Sequence, residues 1–430
     1  MGHQVSARKY RPGTFADVVG QPFVVQTLRN ALRSGKLAHA YLFFGPRGVG
    51  KTTCARILAK AINCENLTPE GDPCGECASC RRFAEGRTLN LIELDAASHN
   101  SVDDIRLITD QVQLTPPEGR YKVYIIDEAH MLSTAAFNAF LKTLEEPPPH
   151  AVFILATTEK HKIPATILSR CQRFDFRRIP VEEITARLGY IAQREGILAE
   201  PEALFLIATK SEGGLRDALS LFDQLSSRTG GQLTYTAVLD ALEALDYDAY
   251  FKISEALQNW DATQALRTLR SYTEAGYEPA TLLQGLLEHF RNLLLAQYEP
   301  EALGQTIPPH YRSRYEEIAP TYSEAFLLHA IDILLEGERR MSYTRFPEVV
   351  IETTFLKVAL LPQALQREEV SETAPARPST APQAAARPSS SSTAKPSTSL
   401  SNIPRSLDEV KKKSSPLDKP PSPLTSIEKP

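Results

Sequence analysis

Gly45-Pro46-Arg47-Gly48-Val49-Gly50-Lys51-Thr52 matches the pattern G-x-x-x-x-G-K-[ST] in full. The apolar run Tyr41-Leu42-Phe43-Phe44 precedes it and reads as a buried strand; residues 53–60, opening on Thr53, read as a helix. Strand, glycine loop and helix form the setting in which this pattern holds phosphate. The glycines let backbone N–H groups converge on phosphate oxygens, and the helix N-terminus adds a positive dipole end. In that role Lys51 reaches the β- and γ-phosphates and Thr52 places its hydroxyl on Mg²⁺. A glycine-rich turn matching by chance is the bland alternative, and both flanking elements weigh against it.

Working outward, apolar runs alternate with helical patterns. Leu89-Asn90-Leu91-Ile92-Glu93-Leu94-Asp95, Lys122-Val123-Tyr124-Ile125-Ile126-Asp127, Ala151-Val152-Phe153-Ile154-Leu155-Ala156-Thr157 and Phe174-Asp175-Phe176 read as strands. Near-continuous apolar strands separated by helices mean a parallel sheet covered on both faces. One helix between them is capped by Ser133, carries Phe137, Phe140, Leu141 and Leu144 at helical spacing, and stops at Pro147-Pro148-Pro149. From about Val181 the strands stop, and residues 181–242 read as short helices. Residues 243–368 read as longer amphipathic helices. Leu282, Leu283, Leu286, Leu287, Phe290 and Leu294 make one apolar face, and Ala325, Leu328, Ile331 and Leu335 another. Such a stripe usually packs within its own chain; assembly between subunits is the sharper reading.

Hydrophobic residues make up 42% of the 430, enough to bury cores in two to four domains. The net charge of −4 offers no global basic surface for nucleic acid. From Ser371 onward nine Lys/Arg face five Asp/Glu, so the first 370 residues carry −8. Residues 369–430, rich in Pro and Ser, are expected to be disordered, and Lys411-Lys412-Lys413 to be a solvated run. Residues 1–10 hold no apolar signal core and no run approaches a membrane span, which gives the expectation of a cytoplasmic protein with no membrane partner.

Ile125-Ile126-Asp127-Glu128-Ala129-His130 places adjacent carboxylates at a strand end. Asp127 suits a Mg²⁺ ligand and Glu128 a base that polarises water. Asp-Glu-Ala-His is also a helicase box, but no second nucleotide-binding domain follows. Thr157, with Thr158 behind it, is the candidate γ-phosphate sensor; a strand-end cap is the alternative. Arg170, in Ser169-Arg170-Cys171, suits a cation offered to a neighbouring subunit's nucleotide, and Arg216, at a helix start, a cation offered in cis. Cys64, Cys74, Cys77 and Cys80 form C-x9-C-x2-C-x2-C, a tetrahedral structural Zn²⁺ set, with iron–sulfur ligation the lesser alternative. Cys54 and Cys171 lie apart and read as buried thiols.

As a set these residues resemble the gamma/tau family of bacterial DNA polymerase III subunits, the AAA+ ATPases of the sliding-clamp loader. The resemblance covers about residues 5–365. It rests on Arg8-Lys9-Tyr10-Arg11-Pro12, Phe15 and Val18-Val19-Gly20-Gln21, then on the glycine loop, the cysteines and Asp127-Glu128-Ala129-His130. Leu141-Lys142-Thr143-Leu144-Glu145-Glu146-Pro147, Thr157-Thr158, Ser169-Arg170-Cys171 and Leu215-Arg216-Asp217 complete it. It implies a RecA-like α/β domain over 1–180 with a zinc insert at 64–80, a helical lid over 181–242, an all-α collar over 243–368 and a tail over 369–430. It implies ATP, Mg²⁺ and Zn²⁺ as cofactors. Tyr10, Arg11 and Val19 would line the adenine pocket, with Gly45, Pro46, Arg47, Gly48, Val49, Gly50, Lys51, Thr52 and Thr53 around the phosphates. Implied partners are delta- and delta-prime-type subunits in a pentamer, the sliding clamp and primer–template DNA, with polymerase core a further candidate. The implied activity is ATP hydrolysis within a DNA-directed DNA polymerase holoenzyme, with no polymerase site in this chain. His99-Asn100-Ser101 departs from the basic residues the family often has there, leaving Lys142 as a candidate DNA-phosphate contact. The short tail is similar to the short gamma form. A branch-migration type of AAA+ motor and a non-catalytic ring scaffold are the competing readings; the cysteine insert argues against the first, and intact Lys51, Thr52, Asp127 and Glu128 against the second.

Overall fold

The structure, a computed structural model, describes residues 5–242, 246–259, 261–305 and 307–372. Five strands form one sheet: β1 (Ala40–Phe44), β2 (Leu91–Asp95), β3 (Lys122–Asp127), β4 (Ala151–Thr157) and β5 (Gln172–Asp175), in the order β2-β3-β4-β1-β5. All neighbours are parallel. Every residue of central β4 is buried, as a strand covered on both faces requires. The alternation splits each strand between two cores. Tyr41, Phe43, Val123, Ile125, Val152 and Ile154 pack one face with the helices Pro22–Ser34 and Lys51–Ile62. Leu42, Tyr124, Ile126, Phe153 and Leu155 pack the other with the helix Thr134–Glu145. Ser133 caps that helix, its hydroxyl accepting from Ala136 N–H at 3.2 Å. The expected strands are all present, with ends shifted by a residue or two.

The register sets the site. Phe44 pairs with Thr157 and Asp95 with Asp127, so the carboxyl ends of β1, β2, β3 and β4 come out on one edge. That edge is where an open parallel sheet binds ligands.

Beyond the sheet, the helices Val181–Glu195, Pro201–Lys210, Leu215–Arg228 and Tyr235–Ala241 enclose a separate core built on Ile184, Leu188, Ile207 and Phe222. Strands do not stop entirely at Val181: Leu198–Ala199 pairs with Gln232–Leu233. Two residues carry no readable periodicity, and this pair closes a helical unit rather than building a sheet.

The last described part is a helical body with its own core. Leu282, Leu283, Leu286 and Phe290 are buried there, as their spacing predicts. The second expected stripe is corrected. In the helix Glu324–Met341 the buried face is Phe326, Leu327, Ala330 and Leu334, whereas Ala325, Leu328 and Leu335 are exposed and Ile331 only half-buried. Both stripes have helical spacing, because apolar residues occupy two faces of the helix between Ala325 and Leu335. Phe326 decides between them by packing its ring against Phe290 at 5.8 Å and Tyr322 at 6.0 Å. The helix Pro347–Glu372 runs past the expected boundary at 369; the remainder of the expected tail lies outside the described residues.

His289 is buried in this core. Its Nδ1 lies 2.7 Å from the Tyr315 hydroxyl and its Nε2 3.0 Å from Ser254 Oγ. Burial, aided by the Arg314 charge, pushes its pKa down to about 3, so the imidazole is neutral in the fold. Below about pH 6.5 the unfolded chain binds a proton that the fold refuses. The contribution is therefore intact above that pH and is lost as pH falls toward 3. His289→Gln keeps a polar partner and removes the titration. Between pH 7 and pH 5, wild type should lose about 2 kcal/mol more stability than His289→Gln, read by urea unfolding.

Candidate nucleotide site and cysteine cluster

Gly45 starts the loop at φ +146, where a Cβ would stand 2.1 Å from the Phe176 carbonyl oxygen. Only glycine turns the chain there without displacing β5. The helix Lys51–Ile62 follows with Gly50 at its N-cap and no side-chain cap, leaving its first N–H groups open toward the cleft. Lys51 is 6% exposed; its Nζ donates to the carbonyls of Gly45 at 2.8 Å and Pro46 at 2.6 Å. Burial holds its pKa below the usual lysine value, while the carboxylates of Glu128 and Asp127 pull it up.

Thr52 Oγ1 donates to Asp127 Oδ2 at 2.8 Å, joining the loop to the end of β3. Glu128 is one of two described non-glycine residues at positive φ, at +47. A non-glycine residue in this conformation is held there at a cost by its surroundings. Thr158 holds its carboxylate: the backbone N–H donates at 3.3 Å and the hydroxyl at 3.1 Å. His130 lies below, with Nδ1 3.4 Å from Glu128 Oε2 and Nε2 3.3 Å from Glu159 Oε1. Thr157 points inward. It is fully buried, 3.0 Å from His130 Nδ1, and accepts from Glu159 N–H at 3.0 Å.

The cleft wall gathers Tyr10, Arg11, Val19, residues 47–53, Asp127, Glu128 and Arg216. Ala7, Pro12, Val18, Ile179, Leu215 and Leu219 complete it. Sequence reading missed the last three, although Leu215 and Leu219 stand at i, i+4 around Arg216. The Arg216 N–H donates to the Gly48 carbonyl at 3.4 Å, tying the loop to the second helical unit. Lys9 pairs with Glu195 at 2.6 Å, and the Tyr10 hydroxyl donates to the same carboxylate. Burial and the nearby Arg56, Arg216 and Arg8 charges lower the Arg11 pKa. Converging cations and open N–H groups suit a polyanion. Thr157 and Arg170 are not on this wall, and neither are Gly45 and Pro46, whose carbonyls face Lys51 Nζ. Arg170 pairs through Nη2 with Glu145 at 2.6 Å and donates to the Thr166 carbonyl at 2.8 Å.

The four sulfurs of Cys64, Cys74, Cys77 and Cys80 lie within 4.8 Å of one another. Tetrahedral zinc thiolates need about 3.8 Å between sulfurs, so a small contraction suffices. Backbone N–H groups already aim at them: Cys74 N–H at Cys64 Sγ, 3.3 Å, and Cys77 N–H at Cys74 Sγ, 3.4 Å. The Cys77 N–H lowers the Cys74 thiol to about 6, while burial raises Cys64. Cys54 and Cys171 are buried and pushed up to about 12, as inert thiols are.

Strand order, glycine loop and the Asp127-Glu128 pair define a P-loop domain of the AAA+ class with an attached helical unit. Three family profiles match in succession: "DNA polymerase III, delta subunit" over 20–180, "DNA polymerase III clamp loader subunit, ATPase lid domain" over 183–229, and "DNA polymerase III subunits gamma and tau domain III" over 233–373. DNA polymerase III subunit tau of Bacillus subtilis is 44% identical over 83% of this chain and 63% of its own length. The Escherichia coli tau subunit is 43% identical over 83% of this chain and 55% of its own. DNA polymerase III subunit gamma of Buchnera aphidicola is 36% identical over 83% of this chain and 99% of that protein. The chain belongs to the gamma/tau family of DNA polymerase III subunits, and its match spans somewhat over half the length of the first two relatives. Among solved structures, the Thermotoga maritima RuvB branch migration motor matches over 59% of this chain and 80% of that one, at 21% identity and a TM-score of 0.42.

Proposed function

We propose that this chain is an ATP-hydrolysing motor subunit of the clamp loader, which places the sliding clamp on primed DNA within the polymerase III holoenzyme. The observation that carries the reading is the shared wall of Lys51, Thr52, Asp127, Glu128 and Arg216. Bound ATP with Mg²⁺ supplies a transferable phosphoryl group and its charge-neutralising metal. Gly45, Pro46, Arg47, Gly48, Val49, Gly50 and Lys51 cradle the phosphates, Thr53 supports the helix N-terminus, and Tyr10, Arg11 and Val19 flank the base. Thr52 and Asp127 hold Mg²⁺, and Glu128 takes the proton from the attacking water. The contact of Thr158 with Glu128 favours it over Thr157 as the polar group that senses the γ-phosphate. Arg216 acts in cis. The domains are assigned as ATPase 1–180, lid 181–242 and collar 243–368; three successive profiles over 20–180, 183–229 and 233–373 support this division. Delta- and delta-prime-type subunits, the clamp and primer–template DNA are the proposed partners. Exposed Leu328 and Leu335 on the collar support assembly with other subunits.

Clamp and primed DNA should stimulate hydrolysis by this chain in its assembled ring; no stimulation would sink the clamp-loader reading. Lys51→Ala should weaken ATP binding about a hundredfold, since a buried cation–phosphate pair is broken. Glu128→Gln should keep binding and lose about 10²–10⁴ in rate, the usual range for a general base. Isothermal titration and phosphate release separate the two.

Arg170, off its own cleft, is assigned to the nucleotide of a neighbouring subunit. Arg170→Ala should leave ATP binding by the isolated chain unchanged and lower stimulated hydrolysis on the order of 10³, as for other arginine fingers. Weakened binding in the monomer would make it a cis ligand instead.

The cysteines are assigned to one structural Zn²⁺. Metal analysis should find about one zinc per chain, with all four ligand positions filled by thiolate. Cys77→Ser should lose the metal while the sheet stays folded by circular dichroism, because its two cores exclude the insert's cysteines. Iron with sulfide, or no metal, would overturn the assignment.

A further inference from the structure

The loop between Cys64 and Cys74 reaches away from its own cluster. Thr68 N–H donates to the Asp72 carbonyl at 2.9 Å, and Asp72 N–H to Thr68 Oγ1 at 3.1 Å, closing residues 68–72 into a turn. Gly71 in this turn has φ +94, and a Cβ there would stand 3.2 Å from the Arg29 carbonyl oxygen. The turn thus lies directly on the helix Pro22–Ser34. It directs the Asp72 carboxylate into the body, where the residue is only 7% exposed. Oδ1 accepts the Phe15 N–H at 2.7 Å, and Oδ2 pairs with the Arg29 guanidinium. Leu67 packs against the same core as Phe15.

Phe15 opens the short 3-10 turn Phe15–Asp17, whose first N–H has no partner within the turn. Thr14 precedes it and supplies no side-chain cap. Asp72 does so from far along the chain, with a full negative charge at a helical N-terminus. Phe15 also divides the segment that walls the cleft: Arg11 and Pro12 lie before it, Val18 and Val19 after it.

We propose that the cysteine insert positions the nucleotide pocket. Closing the four cysteines on a metal holds the 68–72 turn; the turn holds Asp72; Asp72 caps Phe15 and sets residues 10–19 against the base. Asp72 is a positioning residue and touches no nucleotide. The inference rests on the reading of the cleft as an adenine-nucleotide site. A charged hydrogen bond lost at this cap corresponds to about tenfold in binding.

The test is equilibrium binding of a fluorescent ATP analogue, and of tripolyphosphate as competitor, to the full chain. Five samples are compared: zinc-loaded wild type, wild type stripped with a zinc-selective chelator and returned to magnesium, Asp72→Ala with zinc, Asp72→Ala without zinc, and Asp72→Asn. Stripped wild type and Asp72→Ala should bind ATP about tenfold more weakly, with tripolyphosphate within about twofold of wild type. Stripping Asp72→Ala should add no further loss, because the two changes act through one link. Asp72→Asn keeps the Oδ1 acceptor for the Phe15 N–H but not the charge, and should bind ATP more tightly than Asp72→Ala and more weakly than wild type. The proposal is overturned if stripping leaves ATP affinity unchanged, if ATP and tripolyphosphate weaken together, or if the two losses multiply. Untreated chain that binds no ATP would overturn the nucleotide reading and this one with it.

Discussion

The turn at Gly45 is the constraint on which the rest of the site depends. β1 runs between β4 and β5 and must leave the sheet at once. The Phe176 N–H donates to the Phe44 carbonyl at 2.8 Å, and the Gly45 N–H to the Thr157 carbonyl at 3.3 Å. Both neighbours therefore grip the chain up to the residue where it turns, and the Phe176 backbone leaves no room for a side chain there. The loop that follows inherits a fixed origin, so the N-terminus of the helix Lys51–Ile62 points along the sheet edge where β3 delivers Asp127. The Thr52–Asp127 hydrogen bond is a consequence of that geometry more than a cause of it.

The second carboxylate is held differently. Glu128 sits in a left-handed conformation that costs a non-glycine residue on the order of 1 kcal/mol or more. Two donors from Thr158 and the neighbouring His130 ring meet its carboxylate. His130 follows Glu128 along its own chain segment, while the two donors come from Thr158, in the segment just past β4, which is adjacent in the sheet to the strand that leads to Glu128. Under the proposed mechanism, a shift of that segment would change the reach of the base without touching Asp127. Position and reactivity of the two adjacent acids are thus controlled through different neighbours.

What was legible in the sequence follows from which interactions are local. The glycine loop, the strand-end acids and the four cysteines are written in consecutive or closely spaced residues, and the structure brings each set together. The sheet order was legible only as a class, because parallel strands pair at long range. The choice between two apolar stripes on Glu324–Met341 was not legible: both satisfy the helical period, and the aromatic contacts of Phe326 come from residues in other elements. The inward turn of Thr157 escaped notice for a related reason. Adjacent strand-end threonines are equivalent in a sequence, and only the alternation of β4 with His130 beneath it sends one inward and the other to Glu128. Asp72 gave no signal at all, since its partner Phe15 lies in a segment with no motif linking them.

Under the proposed function, these features bear on assembly with neighbouring subunits. The cleft collects cations from its own loop, its N-terminal segment and its lid-like helices, but Arg170 stands off it, tethered to Glu145 and the Thr166 carbonyl. A guanidinium so held is preoriented without reaching its own cleft, and its ion pair at a half-open surface costs little to exchange for a phosphate oxygen. Leu328 and Leu335, exposed among the described residues on a helix whose other face is packed, give the collar an apolar surface. Under that proposal, an arginine displaced from its own site and an apolar stripe displaced from its own core answer to the same requirement. Both would be satisfied by a neighbouring subunit, and the site for hydrolysis would then be complete only where two subunits meet.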